Sequence, residues 1–429
     1  MIEPIEAGGG RAEAVTSSGL RTRSVEAIGS SATLAAFRVP GYPALWLSEA
    51  ASGFGRAATQ VAIGWMALVA TDSILAVGAT FAARLVPALL LGIPLGGLVD
   101  RYDRRSTLIV VNLAAIIPLS LAAAAGATGA MAITGLLLLS LALGVIDTLQ
   151  GTATQTYSFD LAGASGATNA IALGNLGVFL AGAVGSIAGG VALDRLGAAS
   201  PFILSAVTVA IAAACLVLGG GHARRERPAP HLAPSFKRSM TLILRNRRAA
   251  LIAVVVVSCE VLGFSSITVF PTFTRDVLGS DAAGLGALAT ARQLGAIAAL
   301  LLLARMGVAR SRGGRLLLAG TLAIGLGLLA FALSTSFAVS FLVLVLVGAA
   351  MASQDTLGQL LLQRNVEDAE RGSAMGIWFF SIGFGLVGLV GLGAAASAIG
   401  AQAALAIDGV LLALFAIGLA RVKALHELV

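Results

Sequence analysis

The sequence predicts an all-helical protein that crosses a membrane about twelve times, and three observations carry that prediction. Only 11% of its 429 residues are charged while 58% are hydrophobic, too few polar side chains to cover a water-soluble body of this length. The apolar residues fall in blocks of roughly 20 or more, the length that crosses ~30 Å of hydrocarbon as a helix. The blocks show no period-two alternation, which excludes a closed barrel and leaves helices, whose backbone groups satisfy one another inside lipid.

Taken in order, residues 1–35 are rich in Gly, Ser, Ala and Glu, and no apolar stretch of signal-peptide type follows them. They read as a disordered cytoplasmic tail. Spans are expected at about 44–70, 74–99, 105–126, 130–155, 168–193 and 199–219, so that 36–219 makes an N-terminal six-helix bundle. Residues 220–248 are basic and contain prolines; they read as a cytoplasmic linker whose basic run faces anionic headgroups. Six further spans, at about 249–274, 281–305, 314–334, 337–362, 373–398 and 401–421, make a C-terminal bundle over 249–429.

The charges define an orientation. Of the 28 Lys and Arg, 23 fall in the tail, the linker and the loops of one side, whereas Arg195 and Arg275 alone lie on the other. Arg56, Arg84 and Arg292 sit inside spans. This is the positive-inside pattern, and it places both termini in the cytoplasm. The net charge of +7 is therefore a consequence of topology, and no nucleic-acid partner is needed to explain it. Cys215 and Cys259 stand alone in apolar blocks, and His222, His231 and His426 lie in polar stretches. No metal site, disulfide or imidazole relay is expected, and no phosphate-binding Gly-rich loop or soluble catalytic domain points to an enzyme.

The chain repeats itself. A shift of 208 residues places Asp147-Thr148-Leu149 on Asp355-Thr356-Leu357, Arg84 on Arg292 and Gly78 on Gly286. Parallel duplicates of this kind belong to transporters that rock about a site at the membrane midplane. The charges buried in the spans are the second functional signal, because each costs at least ~2.5–3.5 kcal/mol at the centre of a bilayer helix unless it finds a partner or a wet cavity. Arg56, Arg84 and Arg292 are expected to be charge partners or to line that cavity. Depth along the helices pairs Asp147 with an arginine of its own half and Asp355 with Arg292. A desolvated carboxylate takes and releases protons near neutral pH, and the candidates for that role, in order, are Asp147, Glu260, Asp355 and Glu49. The charge pairs Asp194-Arg195 and Arg275-Asp276 are read as ordinary helix-end charges.

Between spans 2 and 3 the chain reads Gly96-Gly97-Leu98-Val99-Asp100-Arg101-Tyr102-Asp103-Arg104-Arg105. This resembles the signature loop of the major facilitator superfamily, Gly-x-x-x-Asp-Arg-x-Gly-Arg-Arg, with Asp103 in the place of its second glycine. The resemblance implies the family's fold, two six-helix bundles, and a conformational latch built from Gly96, Asp100, Arg101, Arg104 and Arg105. Gly185-Ser186-Ile187-Ala188-Gly189-Gly190 is similar to the Gly-Pro-x-x-Gly-Gly motif of exporters, implying close helix packing at Gly185, Gly189 and Gly190. Tyr42-Pro43-Ala44-Leu45-Trp46 through Gly64-Trp65 and Thr71-Asp72-Ser73 resembles the opening of the macrolide and enterobactin exporter branch. Asp147 stands where the drug antiporters carry arginine, and Arg56 where the exporter branch usually carries an acidic residue.

The expectation is a monomeric secondary transporter in the inner or plasma membrane of a bacterium. It would export a small amphipathic, drug- or siderophore-like molecule by proton antiport, drawing on the proton gradient and using no cofactor. The alternative is an importer, a symporter or a lipid transporter of the same fold.

Overall fold

The protein is described here from a computed structural model covering residues 34–219, 236–306, 313–367, 370–422 and 425. The expected tail, except its last two residues, and the first part of the linker fall outside those residues. The described chain is helical, with no strand. In the first half the helices are α1 (Tyr42–Thr71), α2 (Ile74–Arg101), α3 (Arg104–Ala127), α4 (Ile133–Gly163), α5 (Asn169–Leu196) and α6 (Ser200–Leu218). The second half begins with a short α7 (Phe236–Arg245), followed by α8 (Arg247–Leu262), α9 (Ala282–Met306), α10 (Gly313–Leu333), α11 (Phe337–Arg364), α12 (Arg371–Gly383), α13 (Gly385–Ile399) and α14 (Ala401–Leu419). Among the described residues eleven segments are long and apolar enough to cross a membrane. The 30-residue α1, diluted by Ser, Gly, Gln60, Glu49 and Arg56, is the twelfth long helix of the body.

Local chemistry explains the boundaries. Ser73 and Asp103 cap α2 and α3 by accepting the N–H groups of Ala76 and Ser106, and Asn246 caps α8 through Arg248 and Ala249. Each side chain satisfies donors that the first turn leaves free. Between α4 and α5 the chain turns at Gly163, whose φ of 66° and ψ of 172° suit a residue without Cβ.

Two of the expected spans are broken. The seventh is helical to Leu262, shifts to a 3-10 turn over Phe264–Thr268 and reaches a π-helical turn at Phe273–Val277. The eleventh breaks at Phe384, which separates α12 from α13. Non-helical backbone at membrane depth persists only where protein or a wet cavity covers it.

The two bundles meet along α2 with α13 and along α5 with α9. The duplication is visible in the contact: a Cβ on Gly78 would lie 2.5 Å from the Leu389 carbonyl oxygen, and one on Gly286 would lie 2.3 Å from that of Ser186. Equivalent glycines thus let equivalent helices of opposite halves touch backbone to backbone. The expected packing motif works in the same way. Gly185 and Gly189 seat α5 on Phe54 and Ala58 of α1, and Gly190 faces Ala282 of the other half. The short α7, placed in the linker by the sequence, lies along the second half, where Leu242 is buried and the Ser239 hydroxyl donates to the Ser373 carbonyl.

Candidate substrate cavity between the two bundles

The sides of the inter-bundle contact differ. At the end where α1 finishes and α2 starts, the halves are tied together. Arg275 places Nη2 2.6 Å from Asp72 Oδ1 while its Nε reaches Asp276 Oδ1, also at 2.6 Å. These carboxylates hold the guanidinium in its charged form, the hydrogen bond it donates to Asp276 contributing most. Asp194, in the last turn of α5, accepts the Ala283 and Ala282 N–H groups at 2.6 and 3.3 Å, so the end of one half caps the first turn of α9 in the other. At the same end the Leu75 N–H reaches the Ser397 hydroxyl at 3.3 Å, and deeper in the Thr290 hydroxyl donates to the Ala183 carbonyl at 2.6 Å. The sequence reading of Asp194 and Arg275 as ordinary helix-end charges is therefore corrected: both bind the opposite half. Nothing periodic in the sequence could signal it, since the partners lie about 90 and 200 positions away.

Below this closed end lies a cavity of about 380 Å³ with walls from both halves. The first half contributes Arg56, Gln60, Arg84, Asp147 and Thr148; the second contributes Glu260, Ser265 and Arg292. Phe81, Leu85, Phe264, Ile267 and Leu389 supply an apolar surface between them. A largely apolar wall with a few convergent charges is what an amphipathic small molecule requires. Gln60, Phe81, Phe264 and Ser265 escaped the sequence reading because they carry no intramembrane charge.

Asp147 lies between two guanidiniums, 2.7 Å from Arg84 Nε and 3.3 Å from Arg56 Nε. Its expected pairing within its own half is present. The expected partner pairing of Asp355 with Arg292 is not: among the described residues no ion pair joins them. Instead the Arg292 guanidinium stands 5.8 Å from the centre of the Phe270 ring, and its Nη1 is buried with no hydrogen-bond partner. The duplication conserved both residue types at their positions, but the breaks in the seventh and eleventh spans belong to the second half only, and its helices close differently. Asp355 is not part of the cavity wall.

Glu260 also faces the cavity without an ion pair or hydrogen bond among the described residues. Its position follows from the broken spans. It sits at the end of α8, and its Oε2 would be 3.2 Å from a Cβ at Gly385, the residue that restarts the eleventh span. Asp355 lies on α11, which packs against α8. Glu49 is elsewhere, accepting a hydrogen bond from the Thr154 hydroxyl at 2.6 Å and joining α1 to α4.

The signature loop is held by its own half. Arg104 pairs with Asp160 at 3.1 Å, and Arg105 donates to the Leu216 and Val217 carbonyls at the end of α6. Asp103, noted only as a substitution, is the cap of α3. Arg101 is exposed, while the side chain of Asp100 and the surroundings of Gly96 lie outside what the structure describes. Among the described residues no group of His, Cys, Asp and Glu is arranged to hold a metal ion.

Solved structures share this architecture. A nucleoside transporter, NupG in its D323A form, superposes with a TM-score of 0.72 at 14% identity, covering 88% of this chain and 99% of its own. A POT family transporter in complex with 5-aminolevulinic acid gives 0.73 at 12%, over 89% of this chain and 96% of its own. A bacterial homologue of the human lysosomal transporter Spinster, inward-facing and unoccupied, gives 0.68 at 14%, over 90% and 97%. At these identities the likeness establishes the fold alone. No curated protein matches the sequence. The fold and the family together make the chain a membrane transporter and not an enzyme. Residues 31–427 match the transmembrane secretion effectors, a branch of the major facilitator transporters, and the chain belongs to that family.

Proposed function

We propose that the protein exports a small amphipathic molecule in exchange for protons, by alternating access of the cavity between its two bundles. The observation that carries this reading is Glu260, an unpaired carboxylate in the wall of that cavity. A carboxylate with no fixed cationic partner in a cavity wall is free to exchange a proton for a cation that enters the cavity. Asp147, first in the sequence ranking, is held between Arg56 and Arg84; we assign it to the architecture of the first half. Glu260 becomes the proton carrier, with Asp355 as its modulating neighbour.

The family's description as secretion effectors and the exporter-like motifs support outward transport. The positive-inside pattern supports cytoplasmic termini in a bacterial inner membrane, which makes the tied end of the bundles the outer one and the observed state inward-facing. The cycle needs no cofactor, and one chain holds a complete cavity.

The test is a proteoliposome assay with an imposed pH gradient and a panel of drugs and siderophores. Wild type is expected to move at least one compound against the proton flow, and Glu260→Gln to keep binding a neutral substrate while losing gradient-driven flux. Undiminished gradient-driven flux in Glu260→Gln rejects the assignment of the carrier. Movement with the proton flow converts the reading to the symporter of the same fold.

A further inference from the structure

The cavity wall carries three guanidiniums and two carboxylates, and they are unevenly satisfied. In the first half Asp147 lies between Arg56 and Arg84, so each of the three has a protein partner and one positive charge is left over. In the second half one acid and one base face the same space with no protein partner: Glu260 makes no ion pair or hydrogen bond among the described residues, and the Arg292 Nη1 is buried and unbonded. The Phe270 ring beside Arg292 offers only partial compensation. Two opposite charges kept apart in one apolar chamber define a complementary molecule, one that brings a cation to the acid and an oxyanion to the base.

We infer that the transported molecule is a zwitterion with an apolar body, its ammonium held by Glu260 and its carboxylate by Arg292. The rest of the chamber fits such a molecule. Phe81, Phe264, Ile267 and Leu389 present hydrocarbon to its body. The other charged groups facing the space, Arg56 and Arg84, hold Asp147 between them, and their one surplus positive charge keeps the ammonium away from the first half. The inference deepens the reading of the cavity as a proton-exchanging site and rests on it. An ammonium needs the charged form of Glu260, so proton and substrate exclude each other at the same two oxygens. Exchange is the direct result, and each cycle of one zwitterion out for one proton in moves one positive charge inward.

The experiment is isothermal titration calorimetry on the purified full-length protein in nanodiscs, with no gradient, so that binding is read apart from coupling. The probes are naphthylalanine and phenylalanyl-phenylalanine, each as the free zwitterion, the methyl ester and the N-acetyl form. The zwitterions are expected to bind at least about tenfold more tightly than either blocked form, since each blocked end loses a charge-assisted contact. Arg292→Gln should erase the advantage over the ester and keep that over the N-acetyl form, and Glu260→Gln should do the reverse. Arg292→Lys, which keeps the charge, should preserve the ranking and controls for misfolding. Esters or N-acetyl forms binding as well as the zwitterions, no zwitterion binding at all, or both variants weakening every form equally would overturn the inference. Discriminating binding together with flux that ignores the pH gradient would instead refute proton exchange and leave the ligand class standing.

Discussion

Replacing Asp147 with asparagine separates an architectural carboxylate from a proton-carrying one, and the structure supplies the size of the effect. The shorter of its two contacts, 2.7 Å to Arg84 Nε, joins a guanidinium 15% exposed to a carboxylate 28% exposed. A charge-assisted hydrogen bond of this kind contributes about 1.5–3 kcal/mol. The second contact, 3.3 Å to an Arg56 side chain that is 37% exposed, is largely screened and adds less than about 1 kcal/mol. Asp147→Asn should therefore destabilise the protein by roughly 2.5 kcal/mol. With an unfolding entropy of about 2.1 cal/mol/K per residue over 429 residues, the midpoint falls by about 3 °C. Glu260→Gln removes a charge with no partner, so its midpoint should hold or rise. The assay is intrinsic-fluorescence melting of both variants and of Arg84→Gln/Asp147→Asn, in which neither charge of the short contact remains and part of the loss should return. An Asp147→Asn midpoint at or above wild type, with Glu260→Gln below it, would refute the division of roles.

Three further outcomes follow from the contact between the halves. Gly286→Val places carbon within 2.3 Å of the Ser186 carbonyl and should hold the tied end open, lengthening a spin-label distance between the two bundles there and cutting flux at least tenfold; an unchanged distance would count against the backbone contact. Arg275→Gln removes an exposed ion pair worth less than about 1 kcal/mol, so melting should barely move while labelling of a cysteine at Ser265 from the tied side speeds up about two- to fivefold. With Ser265→Cys as the sole substitution that labelling should rise with salt, which screens the pair, and at alkaline pH should follow the ionisation of the thiol alone, because Asp276 and Asp72 keep the Arg275 guanidinium charged. Asp194→Ala strips the cap from α9 and should have the same effect on labelling with a loss of about 1 kcal/mol in stability; labelling at the wild-type rate would show that the cap does not tie the halves.

Much of the architecture was written in the sequence. Blocks of apolar residues give helices because lipid leaves the backbone no alternative, and the expected spans at 74–99 and 168–193 fall within one to three residues of α2 and α5 at most of their ends. The duplication was legible at Gly78 and Gly286 because both halves need the same close approach. The breaks at Gly263 and Phe384 were not, since composition is equally apolar on either side of each. Glu260, Arg292, Arg56, Arg84 and Asp147 stood out as charges inside oil, and all five reach the cavity. Which charges pair was beyond the sequence, because pairing depends on helix rotation within a half, and rotation leaves no trace in residue spacing. Asp72, Asp194 and Arg275 lie at helix ends, where a charge needs no explanation, so their cross-half contacts had no signal to give.

The asymmetry between the halves is where duplication turns into mechanism. Arg84 and Arg292 are equivalent, as are Asp147 and Asp355, yet one pair is closed at 2.7 Å and the other is open. A closed pair fixes the angle between α2 and α4 and makes the first half a rigid wall. An open pair leaves its arginine to a ligand and its carboxylate to influence Glu260, next to the two helices of the second half that are already broken. Were both pairs closed, Arg292 would be satisfied and the second half would offer no free base opposite the acid of Glu260. Were both open, the charge left uncompensated in lipid would double, at a cost of several kcal/mol. One of each allows a stable frame and a responsive face in a single chain. It follows that Arg292→Leu, which removes a buried guanidinium that has no protein partner, should raise the melting midpoint while calorimetry shows zwitterion binding lost, and a lowered midpoint would refute the reading of Arg292 as a group held open for a ligand.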